Sequence, residues 1–422
     1  RREYFLRWCR SPLRIVPGME MPSYIKAVPG LLGESADRQL SATWDALNDS
    51  RFQPPTNPTA VEQFLVVAAG GRTRLVRDVF TNPESNGGGT IARGLAVGFS
   101  NGHNLLFDLD VGRVALWTFG DFARQRTQGK SWFWDMAGSP VMAGGKPRAD
   151  VVLVRSDQQG RPLEVVSPHR DPVTACQLHR YQQDARGRVE MTYRLAFVVG
   201  DRKTVVDVQE LLRPMSAGES RVMKSGWHRD LTVSMSPESP VAWQVYVARP
   251  TPTTTLGTPT VTAWQAGDRS DRPAKQQAWL KLPGQGERQF ARLKRSTPGS
   301  KSRRVALRYA CGLASTRLPL KPARLTKVKP EKLTTVPGFE AVRLPLSRSI
   351  MPTALCWRPD GTLAITSLKG HVYLARDSDG DGLEDRLELF EEGLAAPYGI
   401  LADGNDLLVC HKPEVLRLRD TD

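Results

Sequence analysis

The feature that most constrains this chain is the regular punctuation of short alternating runs by tight turns. NLLFDLDVGRVALWTF, residues 104–119, carries two apolar–polar runs around Asp110-Val111-Gly112. MTYRLAFVVGDRKTVVDVQELL, residues 191–212, carries two more around Gly200-Asp201. Alternation at period two on both sides of a Gly-bearing turn is a hairpin signal. RVMKSGWHRDLTVSMS and VAWQVYVARP add further strands, and helical periodicity is scarce between residues 62 and 317. Many antiparallel strands at short spacing predict a mainly β fold built on a large antiparallel β-sandwich.

The flanks read differently. Residues 1–50 are expected to be helical: Phe5, Leu6 and Trp8 lie near one face of a helix that stops at Ser11-Pro12. A second helix is expected to start at Ser35 and to bury Leu40, Trp44 and Leu47 at 3.6-residue spacing. Pro54, Pro55 and Pro58 make residues 51–61 a linker. After the sandwich comes a basic, Pro-spaced linker over 318–337. Residues 338–422 then hold a faint repeat: Pro352 matches Pro397, Val372 matches Val415 and Asp377 matches Asp420. A repeat of that length with Pro-Asp-Gly and Ala-Asp-Gly turns is the size of one propeller blade, so this region is expected to be the first one or two blades of a partial β-propeller. One blade cannot bury both its own faces, and the chain reads as an internal piece of a longer protein.

At 422 residues two or three domains are expected. Five cysteines without any CxxC signal neither a disulfide framework nor a zinc site. There is no apolar run long enough to span a membrane and no visible export signal. The net charge of +15 is local, because fourteen Lys or Arg face the lone Glu331 between Arg288 and Lys332. That run interleaves with apolar residues and enters the Pro-spaced linker, so it reads as a solvated strand face and stiff linker rather than a nucleic-acid site.

The acidic loop DSDGDGLEDRLE, residues 377–388, carries the most specific chemistry. Counted from Asp377, side-chain oxygens fall at positions 1, 3, 5 and 9 (Asp377, Asp379, Asp381, Asp385). Gly382 permits a sharp turn at 6, Leu383 offers its carbonyl at 7, and Glu388 stands at 12. This is the ligand schedule of an EF-hand calcium loop, set after a strand-like rather than a helical segment. The competing reading is an acidic hairpin turn. A second candidate site is aromatic: Trp117, Phe119, Trp132, Phe133 and Trp134 crowd together beside Asp121 and Asp135. Flat rings next to carboxylates suit sugar stacking, with Trp117, Trp132, Trp134 and Asp135 as the candidate contacts, although the same rings are also heavy core material. Gly87–Gly89 lacks the features of a phosphate-binding loop and reads as a turn. Six histidines form no metal or nucleophile motif, so a Ser-His-Asp triad is unsupported.

SPLRIVPGMEMPSY, set between the two helices, resembles the C-terminal third of a c-type cytochrome domain, in which R-x-x-P-G-x-x-M-P supplies the axial Met. Arg14, Pro17, Gly18, Met21 and Pro22 match, and the resemblance implies that Met21 is a haem ligand. No CxxCH occurs in the chain, so haem c would be attached upstream of Arg1. Cytochrome-like tail, β-rich middle and propeller start together resemble large exported bacterial proteins that fuse a c-type cytochrome to a β-rich domain and a sorbosone or glucose dehydrogenase-like propeller. GLAVGF, NLLFDLDVGRVALWTFGDF and residues 350–422 carry that resemblance. It implies a periplasmic or cell-surface location, electron transfer with a redox partner or an upstream haem domain, bound Ca2+, and a PQQ-type quinone cofactor oxidising sugars. In soluble quinoprotein glucose dehydrogenases the segment like IMPTALCWRPDG carries the catalytic base His two residues before the Leu, where this chain has Thr353. A hydroxyl of ordinary pKa is a poor base at neutral pH. The alternatives are a non-catalytic sandwich gripping polysaccharide, with the propeller as a calcium-stabilised scaffold, and a quinone-dependent sugar dehydrogenase using another base.

Overall fold

The computed structural model describes residues 1–15, 23–50, 64–68, 70–82, 89–128, 131–143, 148–159, 161–168, 175–184, 186–199, 201–216, 219, 225–235, 243–250, 258–265, 275–295, 301–313, 328–347, 350–412 and 414–420. The chain divides into two compact units, residues 1–61 and 62–422.

In the first unit, helices Arg2–Arg10 and Pro12–Ile15 precede helix Ala36–Asn48. Ser35 caps the last helix, its side chain accepting from Arg38 N. Phe5 and Trp44 meet with ring centroids 5.3 Å apart. The Gln39 amide clasps the preceding loop, exchanging hydrogen bonds with Val28 and donating to Leu31 O. Leu47 departs from expectation, at 59 % exposure. It falls in the last turn of the helix, beyond the Phe5–Trp44 contact.

The second unit is mainly β and antiparallel. Strands Arg74–Thr81, Thr90–Gly98, His103–Asp108, Arg113–Phe119 and Ser139–Ala143 form one five-stranded sheet. A longer sheet is centred on Val189–Val199, Arg202–Pro214, Ser225–Met235 and Ser302–Cys311. A second five-stranded sheet is centred on Val151–Ser156 and Trp243–Ala248. Both predicted hairpins are present: Asp108 pairs with Arg113 across Gly112, and Val199 pairs with Arg202. Gly112 has φ +75°, a conformation that favours glycine.

One continuous core joins these sheets through alternate residues, among them Leu95, Val97, Phe107, Met191, Tyr193, Leu195, Val245, Val305 and Leu307. The first five-stranded sheet is buried on both faces. Its opposite face carries Val76, Phe80, Ala96 and Leu106, which pack on Leu65, Phe122, Trp134 and Ala395.

The repeat in the sequence is a repeat in the structure. Pro352–Trp357, Leu363–Ser367, Val372–Arg376 and Arg386–Glu391 form a four-stranded sheet. Gly399–Asp403, Asp406–His411 and Glu414–Leu418 form a three-stranded one. They pack face to face through Ala364, Val372 and Leu374 against Leu407 and Val409, as successive blades do. Leu355, Trp357, Leu401 and Val415 lie exposed. Among the described residues no helix is long and apolar enough to cross a membrane.

Candidate metal centre and the aromatic seam

The acidic loop connects strand Val372–Arg376 to strand Arg386–Glu391. Asp377 organises it: one carboxylate oxygen accepts from Gly380 N at 2.7 Å and the other from Gly382 N at 2.8 Å. These backbone donors hold the Asp377 carboxyl below its ordinary pKa, so it is ionised at neutral pH. Gly380 and Gly382, at φ +81° and +84°, let the chain curl around it.

The result is a convergence of three exposed carboxylates. Ligand oxygens of Asp377, Asp379 and Asp381 lie within 4.8 Å of one another. Twice a Ca–O bond of roughly 2.4 Å spans that limit, so the three oxygens are close enough to share one hard cation. Among the described residues no Lys or Arg makes a salt bridge to any of the three. The other two predicted carboxylates are placed elsewhere. Asp385 accepts from Ser378 N and Ser378 Oγ, both at 2.8 Å. Glu388 lies on the following strand opposite Leu374, and Leu383 N donates to Asp381 Oδ1 at 2.8 Å. The carboxylates at positions 1, 3 and 5 come together; those at 9 and 12 stand outside the group.

The aromatic candidates are corrected by their burial. Trp117 and Trp134 are both 0 % exposed, so neither offers a face to a sugar. Trp117 is wedged edge-on against Trp227 and Tyr309, which stack at 3.8 Å. Trp134 Nε1 donates to Leu394 O at 2.9 Å, and Trp134 N donates to Asp78. Trp132, half-buried, gives its carbonyl to Lys412 Nζ at 2.9 Å, and that ammonium sits 4.0 Å from the Phe133 ring centroid. Asp135 accepts from Thr81 N and Thr81 Oγ1. The strand Ser131–Met136 thus holds the C-terminal sheets against the sandwich, and its aromatic residues serve that seam.

Other contacts close the same seam. Gln125 Nε2 donates to Lys369 O, Tyr181 OH donates to Glu414 at 2.5 Å, and Arg74 pairs with Glu392 at 2.7 Å. A Cβ on Gly370, at φ +90°, would stand 2.3 Å from Leu394 O, so the turn between two blade strands approaches as closely as glycine allows.

A buried Ser-His contact was not visible from sequence. His103 Nε2 lies 2.8 Å from Ser225 Oγ. Trp117 Nε1 can only donate, and it donates to His103 Nδ1 at 3.0 Å. His103 is therefore the neutral tautomer with its proton on Nε2, which donates to Ser225, and Ser225 donates onward to Leu313 O. Burial pushes the His103 pKa down to about 3. An imidazole already protonated toward the serine cannot take the serine's proton, so this pair is structural. Cys176, buried with its thiol pushed up to about 12, is likewise unreactive.

Thr353, which the resemblance sets at the place of a quinoprotein base, donates through Oγ1 to Pro397 O at 2.5 Å and lies 3.0 Å from Thr366 Oγ1. That hydroxyl joins the two blades and offers no base. Met21, with Pro17, Gly18 and Pro22, lies outside the described residues, as do residues 51–61 and 318–327 of the predicted linkers.

The fold is thus a β-sandwich continuous with two propeller-type sheets that bear an acidic loop. Within it, residues 358–422 match a family described as a domain of unknown function (DUF7133). The match spans the acidic loop, the seam turn, the last three strands of the four-stranded sheet and the whole three-stranded one. No curated protein and no solved structure matches the chain.

Proposed function

We propose that this chain is part of an exported, haem-linked redox protein, in which the segment around Met21 supplies a thioether ligand to haem c and the β-rich unit is a calcium-bearing scaffold. The observation that carries the reading is the convergence of Asp377, Asp379 and Asp381 at EF-hand spacing, with no salt bridge to any of them among the described residues. Hard carboxylate oxygens suit Ca2+, which would bridge the loop and relieve the mutual repulsion of its acids. Three carboxylates on an exposed loop make a weak site, in the range of extracellular calcium modules, about 10⁻⁴ to 10⁻³ M. Such a site fills where calcium is plentiful, which supports a periplasmic or surface location.

The redox half of the proposal rests on the resemblance of Arg14–Pro22 to an axial-Met segment. The engagement of Thr353 by Pro397 supports a scaffold rather than a quinone-dependent dehydrogenase at that position. The test is an absorption spectrum, oxidised and reduced, of the natural full-length protein and of Met21→Ala. A c-type spectrum that loses its Met-ligand features in the variant supports the reading. A full-length protein without haem overturns it.

A further inference from the structure

Part of the basic run, exposed as a solvated face would be, also lines a cleft. Arg292 ends a strand of the second five-stranded sheet, and only Leu293 separates it from Lys294–Arg295, which pair with Ser302–Cys311 of the long sheet. The chain crosses from one sheet to the other here, bringing Arg292, Lys294, Arg295 and Arg303 around a cleft of about 380 Å³ that Trp243 also lines. Lys294 stands directly opposite Arg304, and Arg295 directly opposite Arg303. Successive pairs point to opposite faces, and it is the Arg295–Arg303 pair that faces the cleft, where like charges directly opposite are destabilising unless something negative lies between them.

Nothing negative does so among the described residues. None of these five cations makes a salt bridge there, and the cleft lining contains no carboxylate. Arg303 Nη1 donates to the Met235 thioether, a weak acceptor. Burial, then the charges of Arg295 and Arg292, hold the Arg303 guanidinium below its ordinary pKa, the expected mark of cations crowded together.

We propose that this cleft binds a multiply charged oxyanion of the phosphate or sulfate class, free or as an ester, held by Arg292, Lys294, Arg295 and Arg303. Planar guanidinium forks match tetrahedral oxyanions with paired N–H donors. The cleft exceeds what one such group fills and is of small-molecule size. The site is independent of both the acidic loop and the haem segment.

The experiment is thermal unfolding of the full chain in calcium-free buffer, titrated separately with inorganic phosphate and with sulfate against chloride at constant ionic strength. The expected result is a saturable rise in Tm of roughly 2 °C or more with at least one anion. Which anion acts identifies the class of ester to be sought. In Arg295→Gln/Arg303→Gln the rise disappears, and without anion this variant melts no lower than the parent, because the opposed cations are gone. A parent Tm that ignores both anions overturns the proposal. So does an equal rise in the variant, which marks the general salting effect of these anions on burial. Should that variant fail to fold, Arg292→Gln/Lys294→Gln, at two exposed positions, carries the same test.

Discussion

Two groups of carboxylates in this molecule have opposite surroundings. In the sandwich core, Glu210 is wholly buried and bonds Arg229 through both oxygens, at 2.8 Å to Nε and 2.7 Å to Nη2. Arg229 Nη1 reaches Asp150 at 2.6 Å, and Tyr193 OH adds a further donor to Glu210. Both carboxylates of that group share the Arg229 guanidinium. In the Asp377–Asp381 loop, three carboxylates converge in solvent with backbone N–H groups as donors and, among the described residues, no salt bridge. The first arrangement satisfies charges that burial would otherwise penalise; the second leaves three negative charges side by side in solvent. Residue type alone does not separate structure from site, whereas the partner of each charge does.

The comparison breaks most visibly in the core. Arg229→Met leaves Glu210 and Asp150 buried without their counter-charge, and is expected to cost about 3–5 kcal/mol in denaturant unfolding. A cost near zero would mean that the core acids are as tolerant as the loop acids, and the contrast would fail. Next in size is Trp134→Ala, which empties a fully buried site and frees Leu394 O. It should cost about 3 kcal/mol, and limited proteolysis should then release the C-terminal sheets sooner than in the parent.

Acid sharpens the contrast through the histidines. Burial lowers His228, His371 and His411 to about 4 and His103 to about 3, from the ordinary 6.5. Above pH 6.5 these imidazoles are neutral in both states. As pH falls from 6.5 toward 4, the unfolded chain takes up protons that the folded protein refuses, so stability is lost. Asp78, raised by burial to about 6, acts in the opposite sense: the folded protein keeps its proton between 3.8 and 6, a contribution lost as pH rises. Asp108, Asp230 and Glu392 are raised by burial as well and act with Asp78. Asp184, Glu190, Glu219, Asp360 and Asp377 are lowered and lose stability in acid alongside the four histidines. Together these groups predict a net fall in denaturation midpoint between pH 6.5 and 4.5. A flat profile would refute the burial of the histidines in the neutral form. The smallest effect belongs to the loop itself: in chelator, Asp379→Asn/Asp381→Asn should leave the melting temperature essentially unchanged, since both groups are exposed and make no salt bridge among the described residues.

What the sequence showed and what it hid follow from the range of the interactions. The hairpins at Gly112 and Gly200-Asp201 depend on alternation and a turn within a few residues, and both are present. The acidic loop is equally local, and its first three carboxylates converge as their spacing implies. The last two do not, because Asp385 is drawn to Ser378 and Glu388 joins a strand, outcomes set by the hairpin around them. Trp117 and Trp134 misled because their burial depends on distant chain: Trp134 meets Leu394, 260 residues away. Aromatic residues beside carboxylates look alike in sequence whether they face a ligand or a neighbouring sheet. The basic cleft was hidden for the same reason, since Trp243 and Arg303 reach one place only after both sheets have formed.

The central claim is that the Asp377–Asp381 loop binds calcium. Isothermal titration of Ca2+ into the metal-free protein at physiological ionic strength, beside Asp379→Asn/Asp381→Asn, tests it most directly. The account predicts one site in the parent with a Kd of about 10⁻⁴ to 10⁻³ M, absent from the variant. No saturable binding in the parent, or equal binding in both proteins, would contradict it and leave the loop an acidic turn.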